Sequence, residues 1–270
     1  MSVLLGVIGD PIAHSLSPVI HNGWLKDAGI DGLYEAIHVP DGAFDSALKD
    51  LTKNQVVGVN VTLPHKHAAL AAADYVSDAA QAIGAVNTLT QHAGGVWHAD
   101  NTDAPGFLMA LGDADPDKES ALVLGAGGSA RAIVFALTNA GFDVIVLNRT
   151  PEKAAKILQD FGVASPRYDA IDQYNEYIES ATIVVNTTSM GHAGEIVDLP
   201  DGGGRTFFDL SYGHVAAAQL THAREQGWQT RDGLAMLVAQ AALSFEIWFG
   251  HRPSLQDGLA RAVHAMEAGA

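Results

Sequence analysis

Short apolar runs alternate with stretches of helical spacing along most of the chain. Residues 4–8, 33–37 and 56–59 are apolar enough and short enough to predict strands, and residues 18–28 and 43–51 between them carry apolar positions at helical intervals. A further helix is predicted over 66–73, two residues past Pro64. Residues 85–90 and 95–98 read as strands around the turn Ala93-Gly94. Strand–helix alternation of this kind predicts a mostly parallel sheet with helices on its faces. A second set of strands follows at 121–124, 143–147, 182–186, 206–209 and 228–230, with Gly202-Gly203-Gly204 as a flexible connection. Two closing segments, 234–249 and 255–268, read as helices that come after the second sheet has ended, and are expected to return to the first domain. The expected organisation is therefore α/β, with one domain from 1–101 and 234–270 and a second from 102–233.

The second domain opens on the most specific pattern in the chain. The strand at 121–124 runs into Gly125-Ala126-Gly127-Gly128-Ser129-Ala130, and an apolar helix follows and ends before Gly141. This is the G-x-G-x-x-A form of a dinucleotide-binding turn in the strand–turn–helix setting it requires. Gly125 permits the tight turn, Gly127 lets the backbone approach a diphosphate, and the helix N-terminus adds unpaired N–H groups and partial positive charge. At the end of the next strand, where NAD-binding proteins place an Asp or Glu on the ribose, the chain reads Asn148-Arg149-Thr150. An Arg there pairs with a 2′-phosphate, so the cofactor is read as NADP.

Composition narrows the classes. At 270 residues, 48% hydrophobic and 17% charged, the chain is a globular protein with a large core and not a disordered one. Fifteen basic against 31 acidic residues, a net charge of −16, argue against nucleic acid or an anionic membrane as partner. The absence of cysteine excludes thiol catalysis, cysteinyl zinc sites and disulfides. The first eight residues read as a strand and not a signal peptide, and the apolar run 233–250, interrupted by Gln240 and Glu246, as a buried helix. A cytoplasmic protein, monomer or homodimer, acting on a small molecule is expected.

Four polar clusters lie at predicted strand ends, where open α/β sheets bind ligands. In Gly9-Asp10-Pro11-Ile12-Ala13-His14-Ser15-Leu16-Ser17-Pro18, Ser15 and Ser17 suit a polyol or carboxylate, and Ser17 equally suits an N-cap. In Asn60-Val61-Thr62-Leu63-Pro64-His65-Lys66, Lys66 sits in a first helical turn, an unfavourable place for a cation that would make it a better proton donor. His65 and His67 share no helical face, so no metal is expected. The remaining two are Gly84-Ala85-Val86-Asn87-Thr88-Leu89 and His98-Ala99-Asp100-Asn101-Thr102-Asp103. Asp103 has a plain reading as a helix cap; beside a hydride donor, a Lys and an Asp also meet the needs of carbonyl reduction.

Together with Asn186-Thr187-Thr188-Ser189-Met190-Gly191, these segments, all in order, resemble the shikimate dehydrogenase family over nearly the whole chain. The resemblance implies NADP-linked, reversible reduction of 3-dehydroshikimate to shikimate in aromatic amino-acid biosynthesis. It implies Lys66 and Asp103 as the catalytic pair, and Ser15, Ser17, Thr62, Asn87, Tyr212 and Gln240 on the substrate. Gly127, Gly128 and Ser129 would take the diphosphate, Asn148, Arg149 and Thr150 the 2′-phosphate, and Met190, Leu210 and Gly233 the nicotinamide. One stretch departs from the family's pattern: after Tyr212 the chain reads Gly213-His214-Val215-Ala216-Ala217-Ala218, where the family usually has a polar residue, Pro and a later Thr-x-Leu-Leu. The alternatives are a quinate or dual-substrate dehydrogenase using NAD, and a non-catalytic NADP-binding regulatory relative.

Overall fold

The computed structural model describes residues 2–117 and 119–269. The chain divides into two compact units, one of residues 1–106 and 237–270, the other of residues 107–236.

The first unit is built from β1 (Val3–Gly9), α1 (Ser17–Asp27), β2 (Gly32–His38), α2 (Phe44–Lys53), β3 (Gly58–Val61), α3 (Lys66–Ala72), β4 (Tyr75–Val76), α4 (Asp78–Ile83), β5 (Thr88–His92) and β6 (Val96–Asp100), after which α5 (Asp103–Leu111) begins. Its six-stranded sheet has the order β2-β1-β3-β5-β6-β4. Strands β1, β2 and β3 pair in parallel, but β5 runs antiparallel to both β3 and β6. The sheet is mostly parallel, as the alternation predicts, with β5 as its one reversed strand, because β5 and β6 form a hairpin through the turn at Ala93-Gly94 in place of a helical crossover. The reversal places the start of β5 beside the C-terminal ends of β1, β3 and β6. In register across three strands stand Asn60, Thr88 and Asp100.

Helix α2 shows how the sequence sets the packing. Phe44, Leu48 and Leu51 recur at helical spacing, are buried, and join Ile8, Val59, Val61, Leu89 and Trp97 from the sheet in one core. Below β1 and β2, the imidazole of His21 stacks on Tyr34 (4.2 Å between centroids) and meets Trp24 edge-on (5.5 Å). Both His21 ring nitrogens are buried with no hydrogen-bond partner among the described residues. Burial lowers its pKa from 6.5 to about 3, so the ring is held neutral.

The second unit contains β7 (Ser120–Leu124), α6 (Gly128–Asn139), β8 (Asp143–Asn148), α7 (Pro151–Asp160), β9 (Arg167–Ala170), α8 (Tyr174–Ile178), β10 (Ile183–Asn186), β11 (Thr206–Asp209), α9 (His214–Glu225) and β12 (Gln229–Arg231). Its sheet is parallel throughout, in the order β12-β11-β10-β7-β8-β9. Counted from the first strand of this unit, that is the doubly wound order of dinucleotide-binding folds, with its reversal point between β7 and β10. Two expectations change here. Strand β9 is an edge strand whose half-exposed residues give no apolar run to read. The triple glycine is a fixed turn and not a flexible connection: Gly202 N–H donates to Gln226 O (2.6 Å), Gly204 N–H to Gly227 O (3.0 Å), and a Cβ on Gly202 would lie 2.6 Å from the Trp228 ring.

Helices α10 (Leu234–Phe249) and α11 (Leu255–Glu267) close the chain, and from residue 237 they belong to the first unit. Helix α11 lies on α1, where Gly258 leaves room for Trp24 and Arg261 pairs with Asp27 at 2.8 Å. No helix among the described residues is long and apolar enough to cross a membrane, and α10, at 16 residues, is an ordinary core helix.

Candidate active site

Each polar cluster of the first unit meets the others at one end of its sheet. Lys66 is the first residue of α3 and Asp103 the first of α5. Their side chains are 11% and 8% exposed, and Lys66 Nζ donates to Asp103 Oδ2 at 2.5 Å. The capping explanation for Asp103 fails on the geometry, because Asn101 Oδ1 accepts the N–H groups of Asp103 (3.0 Å) and Ala104 (3.3 Å). Asp103 is left to face Lys66 and, through Oδ1, the Asn87 amide at 2.9 Å. The cation in the first turn of α3 is thus neutralised by a carboxylate from another helix.

The orientation of Asn87 follows from donors that cannot accept. The backbone N–H of Thr102 reaches Asn87 Oδ1 at 2.7 Å, so the NH₂ end turns toward Asp103. That NH₂ also reaches Thr102 Oγ1 (2.9 Å) and Gln240 Oε1 (3.2 Å). Gln240 comes this close because Gly106 has no side chain: a Cβ there would lie 2.9 Å from the Gln240 backbone. Behind Asn87 lies a cluster of buried hydroxyls, Thr88, Thr102 and Ser244, with Oγ separations of 2.8 Å (Thr88–Ser244), 3.1 Å (Thr102–Ser244) and 3.3 Å (Thr88–Thr102). Asn60 Nδ2 donates to Ser244 Oγ (2.8 Å), and Asn60 Oδ1 accepts from the Tyr34 phenol (2.8 Å). Burial raises the Tyr34 pKa well above its usual 10, opposed by a hydrogen bond with the Ser17 side chain, so the phenol stays a donor.

The expected catalytic pair, Lys66 and Asp103, and two of the expected substrate residues, Asn87 and Gln240, are brought into one network, with Ser17 joined through Tyr34. The N-cap of α1 is Leu16, not Ser17, and Ser15 Oγ takes the Ser17 N–H at 3.3 Å. Thr62 lies against Gly9, and its backbone bonds to Ile8 and His65 in place of the network. Tyr212 is half-buried in the second unit, in the loop after β11. Asn60 lies in the second polar cluster without being singled out there. Thr88, Thr102 and Ser244 are missed because hydroxyl residues are ordinary in strands and helices. The register that aligns Asn60 with Thr88 is not visible in the chain. His65 Nε2 lies 2.7 Å from Val39 O and His67 Nδ1 2.9 Å from Gly84 O, and no group of three metal-ligating residues occurs among the described residues.

The second unit offers a different surface. Gly125 follows β7 at φ +110, and a Cβ there would lie 2.4 Å from Thr187 Oγ1, which donates to Leu124 O at 2.7 Å. Gly127 is the N-cap of α6, with no side-chain cap, and a Cβ on it would meet no described atom within 4 Å. An open glycine at the N-terminus of a 12-residue helix, at the reversal point of the sheet, fits a dinucleotide diphosphate. Gly128 and Ser129 form the first turn of that helix. Asn148 Nδ2 donates to Thr150 O (2.9 Å) and braces the turn into α7, while Arg149 is exposed and has no ion-pair partner among the described residues. Arg131, from α6, is not so available: it pairs with Asp160 at 2.9 Å. Burial acts to raise the Asp160 carboxyl, but Lys156 and Arg131 outweigh it and hold it low.

Across the sheet, Gly233 presses on Leu210, where a Cβ would lie 1.9 Å from the Leu210 carbonyl oxygen. Met190 is half-buried against the apolar core of this unit. The stretch that departs after Tyr212 forms the first turns of α9, with Gly213 as N-cap at φ +62. Asp209 is buried, and burial raises its pKa, aided by the Asp232 charge and opposed by hydrogen bonds from Ser211 and Asn186.

Comparison with known proteins agrees across the chain. Residues 7–89 match the family model of the shikimate dehydrogenase substrate binding domain, 111–198 that of shikimate / quinate 5-dehydrogenase, and 233–261 that of the shikimate 5′-dehydrogenase C-terminal domain. The chain is 47% identical to the shikimate dehydrogenase (NADP(+)) of Hyphomonas neptunium over 99% of both proteins, and 43% identical to that of Roseobacter denitrificans over 96% and 97%. Among solved structures, shikimate 5-dehydrogenase from Thermus thermophilus, in complex with NADP(H) and shikimate, superposes with a TM-score of 0.84 at 38% identity, covering 97% of this chain and 99% of that one.

Proposed function

Because this chain belongs to the shikimate dehydrogenase family, we propose that it is an NADP-dependent oxidoreductase that interconverts 3-dehydroshikimate and shikimate in the cytoplasm. The observation that carries the proposal is the buried Lys66–Asp103 pair at 2.5 Å, surrounded by neutral amides and hydroxyls. A polyhydroxylated ring matches that lining, and a ketone on the ring needs one strong donor. NADPH held at Gly127, Gly128, Ser129 and Arg149 would supply the hydride to the ketone carbon. Lys66 Nζ donates to the ketone oxygen as negative charge builds on it, an interaction stronger in the transition state than in the ground state, and the ammonium gives up the proton that completes the alcohol. Asp103 fixes the ammonium, and Asn87 fixes Asp103. Gln240, Asn87 and Thr62 are assigned to ring hydroxyls, and Ser15 and Ser17 to the carboxylate. Tyr212 is a further substrate contact on the family pattern alone.

On the cofactor side, Gly125, Gly127, Gly128 and Ser129 are assigned to the diphosphate, Arg149 with Asn148 and Thr150 to the 2′-phosphate, and Met190, Leu210 and Gly233 to the nicotinamide. Exposed and unpaired among the described residues, Arg149 supports NADP over NAD. The test is growth of the reduced-nicotinamide absorbance band with shikimate or quinate, each with NADP⁺ or NAD⁺. Turnover with shikimate and NADP⁺ alone is expected. Faster turnover with quinate or with NAD⁺ would overturn the specificity, and none in any combination would overturn the activity.

A further inference from the structure

At the C-terminal ends of β10 and β11 a buried amide and a buried carboxylate face each other. Asn186 Nδ2 donates to Asp209 Oδ2 at 3.0 Å, and the two residues are 3% and 2% exposed. Each also organises the loop that follows its own strand. Asn186 Oδ1 accepts the Thr188 N–H (3.1 Å) and O–H (2.7 Å), and Thr188 Oγ1 accepts the Met190 N–H (3.4 Å). Asp209 Oδ1 accepts the Ser211 N–H (2.8 Å), and the Ser211 carbonyl accepts the Gly233 N–H (2.9 Å). The backbones are tied as well, Leu210 N–H to Asn186 O at 2.9 Å. One side-chain hydrogen bond therefore joins the loops carrying Met190, Leu210 and Gly233, while the glycine turn at 125–129 and Arg149 lie outside this network.

We propose that Asn186 and Asp209 are a positioning pair that holds the nicotinamide-side loops in register, setting how tightly that half of NADP(H) is held while leaving the adenosine half untouched. The pair does not touch the reacting atoms; it acts through Thr188, Met190, Ser211 and Gly233. The inference rests on the assignment of those loops to the nicotinamide made above.

The chemistry of the pair supplies its own control. In the double variant Asn186→Asp, Asp209→Asn, the carboxylate at 186 accepts both Thr188 donors and the amide now at 209. The carbonyl end of that amide accepts the Ser211 N–H, so every partner is satisfied again. In either single variant, two carboxylates or two amides face each other. The experiment is calorimetric titration of NADPH, and separately of 2′,5′-ADP, which lacks the nicotinamide half. Each single variant is expected to bind NADPH about tenfold more weakly with unchanged affinity for 2′,5′-ADP, and the double variant to recover to within about threefold of wild type. Thr188→Val, which removes only a half-buried hydroxyl, gives a milder loss of about threefold and guards against single variants that fold poorly. Unchanged NADPH affinity in the single variants overturns the proposal. So does equal weakening of both ligands, or failure of the swap to recover. Wild type that binds neither ligand would overturn the cofactor assignment itself.

Discussion

The chemical end of the first unit and the nucleotide end of the second are built by opposite means. In the first, nearly every functional atom belongs to a side chain, is buried, and is held by another side chain, from Lys66 through Asp103 and Asn87 to Gln240 and the hydroxyls behind them. In the second, the surface proposed for the diphosphate is backbone at Gly125 and Gly127, and the cation proposed for the 2′-phosphate, Arg149, stands exposed. The difference follows from what each must do. A proton donor must be placed to a fraction of an ångström before the reaction begins, which calls for interlocking bonds. A phosphate bound by amides and one cation needs open space and a fixed loop, which a glycine at positive φ provides with no side chain in the way.

The sharpest break in that comparison is at Lys66. Lys66→Ala should lower kcat at least about a hundredfold while leaving NADP⁺ affinity nearly unaltered, measured by steady-state turnover and direct titration. A near-normal rate would remove Lys66 from the chemistry.

Acid should separate the two units next. The folded-state pKa of His21, about 3, lies below its unfolded value near 6.5, so its contribution is full above pH 6.5 and is lost as pH falls from there toward 3. By pH 5 the loss amounts to about 2 kcal/mol. Asp209 has the opposite sign: its folded pKa is raised, so its contribution is present at low pH and is lost as pH rises above the usual carboxylate value. Hydrogen exchange at pH 5 should therefore show the first unit opening before the second, and His21→Phe should remove most of the difference. Equal acid sensitivity in that variant and wild type would contradict the assignment.

Gly125→Ala should come third. A Cβ at φ +110 and 2.4 Å from Thr187 Oγ1 costs about 1–3 kcal/mol in the second unit, read as a lower melting temperature and weaker NADP⁺ binding. Smallest is Arg149→Gln. Losing one exposed charge-assisted contact should raise the KM for NADP⁺ about tenfold, shrink as salt is added, and leave the KM for NAD⁺ unchanged. An equal rise for both cofactors would mean Arg149 reads something other than the 2′-phosphate.

Much of this comparison was legible in the chain, and unequally so. The glycine turn and Arg149 are local: strand, turn and helix follow one another, so their chemistry can be read from contiguous residues. Lys66, Asn87, Asp103 and Gln240 could be picked out one by one, but Gln240 meets Asn87 only because Gly106 lets two helices approach. Thr88 and Asn60 are aligned only by β5 running backward, and an apolar run carries no direction. The plain reading of Asp103 as a cap could be set aside only once Asn101 was seen to occupy that role. Gly202-Gly203-Gly204 misled in the other direction, because composition suggests freedom where Trp228 enforces a fixed turn.

The reversed strand β5 also says where this protein tolerates engineering. Its hairpin tip, at Gly94, opens to empty space, while its other end carries Asn87 and Thr88 into the polar network about 17 Å away. A tag or fluorescent peptide inserted at Gly94 should leave turnover intact. A single residue added between Thr88 and Leu89, inside β5, would move Thr88 one place along the strand, turn it to the opposite face and abolish activity. One short strand thus has an end open to the molecular biologist and an end closed to any change in length.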